Sequence, residues 1–439
     1  MFYLNKDIEL NAEILRKMIN RFYLNDEPRI KKYKDYYDGK QAILGKSYAD
    51  ATKPCNKVIT NFCANIVNSY TGYLATPGYI SYSSEQDISD IMEILRYNDY
   101  NAEDAELLQD ALICGKANEL MYHDANGAVR FRIINPLTCF GVYDDSLTGD
   151  LLYFVRIYEV SEWDDTELYK VDVYSDTVIK HYQMAGKNGA LTFLGEEPHY
   201  FAQCPANIFY LPEEKSIFDN VMTLQDAYNT IVSSEIDDIQ AFADAYLCLF
   251  GVDIDTEDVA SMKENRVLSF PDNGSASWLT KGANDAQIEN ILKRIQDNIY
   301  KISQCVDFSS EGFTGGVSSG VAIRFKLSGM ETLGGVIVSA MKKALQRRIE
   351  IISGDVSLKM GEEVFRDINI DFKRNLPEDY SSLVNLINSL KGTVSDETLI
   401  GMLPFVEDVN AELEKVQAQK QANMAMYSFG TPTEDEDNE

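Results

Sequence analysis

Gly312-Phe-Thr-Gly315-Gly316-Val-Ser-Ser-Gly320 runs directly into an apolar-periodic stretch, Ile323, Leu327, Met330, Ile337, Met341, Leu345, Ile349 and Ile352, whose spacing predicts a long helix. The 439-residue chain carries 70 acidic residues against 40 basic ones, a formal charge of −30. Val321 to Gly354 inverts that balance: Arg324, Lys326, Lys342, Lys343, Arg347 and Arg348 stand against Glu331 and Glu350. A loop entering a helix N-terminus presents free backbone N–H groups and a positive dipole end, which suits a phosphate. The nucleotide-hydrolysing pattern GxxxxGK[ST] is not met, because no lysine follows Gly320 before Lys326. The segment reads either as a loop that touches phosphate without processing it or as a flexible linker before a solvated helix face.

The length allows about two to four domains with a sizeable core. A charge of −30 argues against a general nucleic-acid binder, since counterion release needs clustered Lys and Arg. The N-terminus shows no secretion signal and the chain no run of 18 apolar residues, so no membrane span is expected. The cysteines at 55, 63, 114, 139, 204, 248 and 305 form no CxxC pair and read as reduced core thiols of an intracellular protein. His123, His181 and His199 have no ligand spacing, which disfavours a zinc site or a histidine-based triad. No metal and no cofactor is expected.

Outward from the glycine segment, an α+β chain rich in antiparallel strands is expected. Residues 12–37 read as one amphipathic helix stopped at Gly39, with Ile14, Leu15, Met18, Ile19, Phe22 and Tyr23 on one face. Arg29, Lys31, Lys32 and Lys34 read as a solvated face over the aromatic stripe of Tyr33, Tyr36 and Tyr37. Helices are expected over 57–74 and 102–117. A hairpin follows at Asn126-Gly127, with strands 120–122 and 129–134, then strands over 151–160, 168–174 and 178–182. Val221, Leu224, Tyr228, Val232, Ile236, Ile239, Ala243, Tyr246 and Phe250 predict one helix over 218–250. Ser216 to Met262 holds no Lys or Arg but ten acids: Asp219, Asp226, Glu235, Asp237, Asp238, Asp244, Asp253, Asp255, Glu257 and Asp258. A mixed segment (251–285) follows, with Arg266–Phe270 as a strand and Trp278 in a loop near Lys263, Arg266 and Lys281. A second amphipathic helix covers 286–306. Gly329, Gly334 and Gly335 inside the long helix predict a bend or close packing. A strand over 368–372 and helices over 381–390, 395–403 and 407–426 precede an acidic tail, expected to be a disordered solvating end.

The order of these pieces resembles the portal, or head-to-tail connector, family of tailed bacteriophages. The resemblance is carried by Tyr36-Tyr37-Asp38-Gly39-Lys40, Asn56-Lys-Val-Ile-Thr-Asn61-Phe, Gly72-Tyr73-Leu74, Ile113-Cys-Gly115, Asn135-Pro136 and Val142-Tyr143-Asp144. It continues through Leu224-Gln-Asp226-Ala-Tyr-Asn229, Ser319-Gly320-Val-Ala-Ile, Asn375-Leu-Pro377-Glu-Asp379, Val394-Ser395-Asp-Glu-Thr398 and Leu403-Pro-Phe-Val-Glu407-Asp408. Each motif is short; their order over residues 30 to 415 makes the resemblance specific.

The resemblance implies a non-enzymatic ring, usually a dodecamer, at the capsid vertex of the virion, assembled in the host cytoplasm. Double-stranded DNA passes its channel during packaging and ejection. It implies an outer wing (1–217), a first stem helix (218–250), a clip (251–285), a second stem helix (286–306) and a tunnel loop (307–320). The long helix and return strand (321–376), a helical crown (377–426) and the acidic tail (427–439) complete the chain. On this reading Gly312, Phe313, Thr314, Gly315, Gly316, Val317, Ser318, Ser319, Arg324 and Lys326 face DNA. The clip, with Lys263, Arg266, Trp278 and Lys281, docks the terminase motor and the head-completion or adaptor protein; the major capsid and scaffold proteins are further partners. Trp278 reads equally as filling of the clip's small core, and the acids of 219–258 as facing the channel or a neighbouring subunit. Two rival functions remain: a metal-dependent nucleic-acid-processing enzyme built on Asp253, Asp255, Glu257 and Asp258, and a generic oligomeric scaffold without DNA contact.

Overall fold

The computed structural model of the chain describes residues 1–50, 53–76, 78–160, 167–242, 246–250, 274–279, 285–308, 323, 325–360, 368–374, 380–403, 406, 409, 412–413 and 415–420. Gly312–Ser319, Arg324, Lys263, Arg266, Lys281, the acids at 253, 255, 257 and 258, and the acidic tail lie outside them. Contacts divide the chain into two units, one of Met1–Val317 with Ala322–Asn375 and one of Ser318–Val321 with Leu376–Glu439.

In the first unit, strand β1 (Phe2–Leu4) leads to α1 (Ala12–Arg21), a π-helical turn over Phe22–Asp26, and α2 (Glu27–Tyr37). The helix expected over 12–37 therefore forms with one widened turn, and Gly39 at φ +80° follows its end. Leu15, Ile19 and Phe22 are buried against a sheet ordered β1-β5-β6-β7-β8-β9, in one core with Phe140, Val142, Val155 and Val171. Its strands are β5 (Cys139–Asp144), β6 (Leu151–Glu159), β7 (Leu168–Tyr174), β8 (Val178–Ala185) and β9 (Thr192–Pro198); β1 alone pairs in parallel. The neighbouring positions Cys139, Phe154 and Tyr174 are buried in a second cluster with Leu120, Cys204 and Ala206, so the middle of the sheet contributes to two cores.

α3 (Phe62–Leu74), β2 (Ile80–Ser83), α4 (Ser89–Tyr97) and α5 (Tyr100–Cys114) precede the hairpin of β3 (Lys116–His123) and β4 (Val129–Ile134). The strand β10 (Ala206–Tyr210) pairs with β3 to give the order β10-β3-β4. α5 ends before 117 because Gly115 adopts φ +78° and the Glu214 carbonyl passes 2.4 Å from where a Cβ would sit. Only glycine satisfies both conditions.

The expected 218–250 helix is corrected. α6 spans Met222–Phe242, and Tyr246–Phe250 forms strand β11, antiparallel to β12 (Ser275–Leu279) with Leu247 opposite Trp278. Trp278 thus lies on a strand, not in a loop. The aromatic residues Tyr246, Phe250 and Trp278 suit a strand where apolar periodicity alone read helix. α7 (Asp285–Ser303) packs against α6 and is followed by α8 (Ser328–Met360), which runs unbroken through Gly334 and Gly335. Of the bend or close packing expected there, close packing is found at Gly334, where a Cβ would lie 3.2 Å from Leu74. Strand β13 (Asn369–Phe372) pairs with β2. The second unit contains α9 (Tyr380–Leu390) and α10 (Asp396–Gly401), whose first turn is capped by the Ser395 hydroxyl accepting from the Thr398 N–H, as the sequence predicts.

Candidate functional site at the root of the glycine-rich segment

Residues 309–322 leave the described chain after α7 and rejoin it before α8, and the two flanks meet. A Cβ on Gly329 would sit 3.8 Å from the Gln304 Cβ. Gln304 turns the chain with φ +53°. Leu327, Met330, Ile299 and Cys305 are buried around this junction, and burial pushes the Cys305 thiol up to about 11, leaving it an unreactive core thiol.

α3 is the bracket that holds the junction. It starts at Phe62, not at 57, because Asn61 caps it: the Asn61 side chain accepts from the Ala64 N–H at 3.1 Å and donates to the Tyr37 carbonyl at 2.7 Å. The Phe62 ring stands edge-on to Tyr228 of α6 at 5.0 Å and to Tyr300 of α7 at 5.9 Å. Tyr70 is buried, and its hydroxyl lies 3.1 Å from both the Ser303 and Gln304 carbonyls. One turn on, Tyr73 donates to Glu331 at 2.6 Å, and Arg374 closes on the same carboxylate through Nε and Nη2 at 2.9–3.1 Å. Burial works against charge on Glu331, but Arg374 and Tyr73 outweigh it and hold the carboxyl below its ordinary range.

The stretch before α3 is extended and lies along α6. The Asn56 N–H donates to Asp237 at 2.6 Å, Val58 to Ser233 at 3.0 Å, Thr60 to Asn229 at 2.9 Å and Phe62 to Gln225 at 2.9 Å. Every second residue of the strap meets every fourth of the helix. The match is geometric, since two extended residues advance about 6.6 Å and four helical ones about 6.0 Å. Gln225, Asn229, Ser233 and Asp237 are all buried, while Leu224, Tyr228, Val232 and Ile236 of the expected apolar face remain half-buried and Ile239 is 64% exposed. Polar side chains are thus the buried edge of α6, and they satisfy strap N–H groups that have no ladder partner. The Lys46 ammonium at 2.6 Å, with the Asn56 donors, holds the Asp237 carboxyl down at about 2.

The acids of 219–258 therefore do something the sequence did not suggest. Asp219 accepts from the Tyr33 hydroxyl at 2.8 Å, Asp226 from Tyr36 at 2.8 and 2.9 Å, and Asp237 from the strap and Lys46. These three acids are therefore bonded within the chain itself.

The basic residues of α8 also divide. Arg348 is not on a solvated face: it is fully buried, ion-paired to Asp104 and to Glu119 at 2.8 Å, with Phe131 stacked at 4.6 Å. Tyr82 donates to Asp104 at 2.9 Å and Asn207 to Glu119 at 3.0 Å, so α8, α5 and β3 are locked by one charge cluster. Lys326, Lys342 and Lys343 are exposed. The structural roles of Tyr70, Tyr73, the polar line of α6 and Arg348 are not apparent in the sequence, although Tyr73 and Asn229 stand in motifs that carry the resemblance; the 225-229-233-237 spacing is the readable signal.

The antiparallel sheets, the paired helices α6 and α7, and the junction where α7 meets the long helix α8 define a class. The chain belongs to the family "Phage portal protein, SPP1 Gp6-like", whose model matches residues 17–426. It is 24% identical to the portal protein of Bacillus phage SPP1 over 431 residues, covering 94% of this chain and 84% of that one. Membership indicates a structural portal role. Among the described residues no helix is long and apolar enough to cross a membrane.

Proposed function

We propose that the chain is the subunit of a ring at the capsid vertex, through whose channel double-stranded DNA is packaged and later ejected. The observation that carries this reading, beside family membership, is the junction of Gln304 and Gly329. The described flanks of the glycine-rich segment are held by Tyr70, Tyr73 and Leu74, which supports reading the segment between them as a loop rather than a linker between separate bodies. Its residues Phe313–Ser319, with Arg324 and Lys326 at its base, contact DNA weakly. Strong contacts would stall translocation, because duplex offers one charge per ~1.7 Å to any basic wall. Isoleucines left exposed on both paired helices, Ile239, Ile291 and Ile302, support burial against neighbouring subunits. The β11–β12 hairpin and the residues between its strands dock the motor and the head-completion protein. Catalysis of packaging belongs to that separate motor.

The test is the double variant Gly315→Val with Gly316→Val. Rings should assemble normally, since the root carries the packing, while packaging of full-length DNA falls. Normal packaging with failed assembly would make the segment an intersubunit hinge and refute its place in the channel.

A further inference from the structure

The bases of α2 divide as those of α8 do. Arg29 is tied to Asp26 at 3.3 Å and to the Glu214 carbonyl, and Lys34 donates to Asn135 at 3.1 Å. Lys31 and Lys32 are exposed and form no ion pair among the described residues. Both line a recess of about 480 Å³, a size that suits a small ligand, and Lys40, beyond the turn at Gly39, lines it with them. Tyr36 and Gln41 are buried lining residues, and the Lys32 ammonium stands over the Tyr36 ring, 5.8 Å from its centre. The Gln41 side chain is held at both ends. Its Nε2 donates to the Tyr36 carbonyl at 3.1 Å and to Asn61 at 3.0 Å, and its Oε1 accepts from Asn229 at 2.5 Å. The wall between the lysines is therefore fixed before any ligand arrives.

The charges around the recess favour an anion. Asp35 is the one acid that lines it among the described residues, against three lysines, in a chain where acids outnumber bases 70 to 40. Asp38 stands 3.3 Å from Lys40, but both are exposed, and such a pair contributes little and gives way to a stronger anion. Asp226 is engaged by the Tyr36 hydroxyl and does not line the recess. We propose that this recess binds a phosphate group, either of a free anion or of a nucleic-acid backbone. Lysine meets phosphate as a point charge, and here ammonium groups from a helix and from the turn after it share one recess without an arginine fork. The site is separate from the glycine-rich segment and does not depend on the ring reading.

The test is calorimetric titration of the chain with inorganic pyrophosphate at low salt, with circular dichroism to verify folding. Lys31→Gln combined with Lys32→Gln should bind about tenfold more weakly, and Asp35→Asn about twofold more tightly, both differences shrinking as salt is added. Lys17→Gln, which removes an exposed lysine paired with Glu13 elsewhere, should bind as the unaltered chain does. A short DNA duplex that displaces pyrophosphate would assign the phosphate to nucleic acid, and one that leaves it bound would assign it to a free anion. No binding of pyrophosphate, or the same loss in Lys17→Gln as in the double variant, would overturn the proposal. Tighter binding of a glutamate-rich peptide than of pyrophosphate would overturn it too and make the recess a dock for an acidic protein. Should the double variant not fold, Asp35→Asn decides alone: binding no tighter than that of the unaltered chain contradicts the proposal.

Discussion

At the scale of single residues, the account turns on charges placed where water cannot reach. Arg348 is fully buried between Asp104 and Glu119, and burial works against its charge, but the two carboxylates outweigh it and hold the guanidinium well above its usual range. Removing one member of such a cluster leaves the others uncompensated, which costs about 3–5 kcal/mol. Arg348→Met is therefore expected to lower the stability of the first unit by that amount in urea unfolding. Arg348→Lys should recover little, because an ammonium cannot reproduce the planar fork. A loss below about 1 kcal/mol would show that the cluster is already relaxed by solvent. Asp237 gives the opposite case, a carboxyl depressed from 3.8 to about 2 by Lys46. A carboxylate lowered on folding contributes stability that is complete above its unfolded value and lost as pH falls through the folded one. Hydrogen-exchange protection of the Asn56–Phe62 strap should thus persist to about pH 4 and decay toward pH 2. In Asp237→Asn that acid step should disappear; an identical pH profile in the variant would assign the step to another group.

At the scale of elements, the sequence was legible where burial followed apolar residues and misleading where it did not. The β6, β7 and β8 strands came through because runs of β-branched and aromatic residues are bounded by turn residues, and Ser395 because a hydroxyl before Asp396 and Glu397 is a cap by its chemistry. α6 misled because its buried edge is Gln225, Asn229, Ser233 and Asp237, a pattern set by a strap from residues 56–62 that no local window contains. The same apolar spacing carried the expected helix past Phe242 into what is β11, whose partner β12 lies 25 residues beyond its end. Trp278 on β12 is expected to matter for docking rather than for the ring. Trp278→Ala should weaken capture of the motor or of the head-completion protein while rings form as before. Loss of the ring in that variant would instead make Trp278 a structural residue of the hairpin.

At the scale of the whole molecule, the chain combines a net charge of −30 with exposed bases on α8 and just before it, Lys326, Lys342 and Lys343, the balance the proposed DNA conduit needs to guide without holding. Electron microscopy of the purified protein tests this most directly. The account predicts end-on views of closed rings with a central channel wide enough for duplex DNA, and density from the loops narrowing that channel at the level where α7 meets α8. Monomers, twofold dimers without a channel, or rings in which the α7–α8 junction faces outward would contradict it.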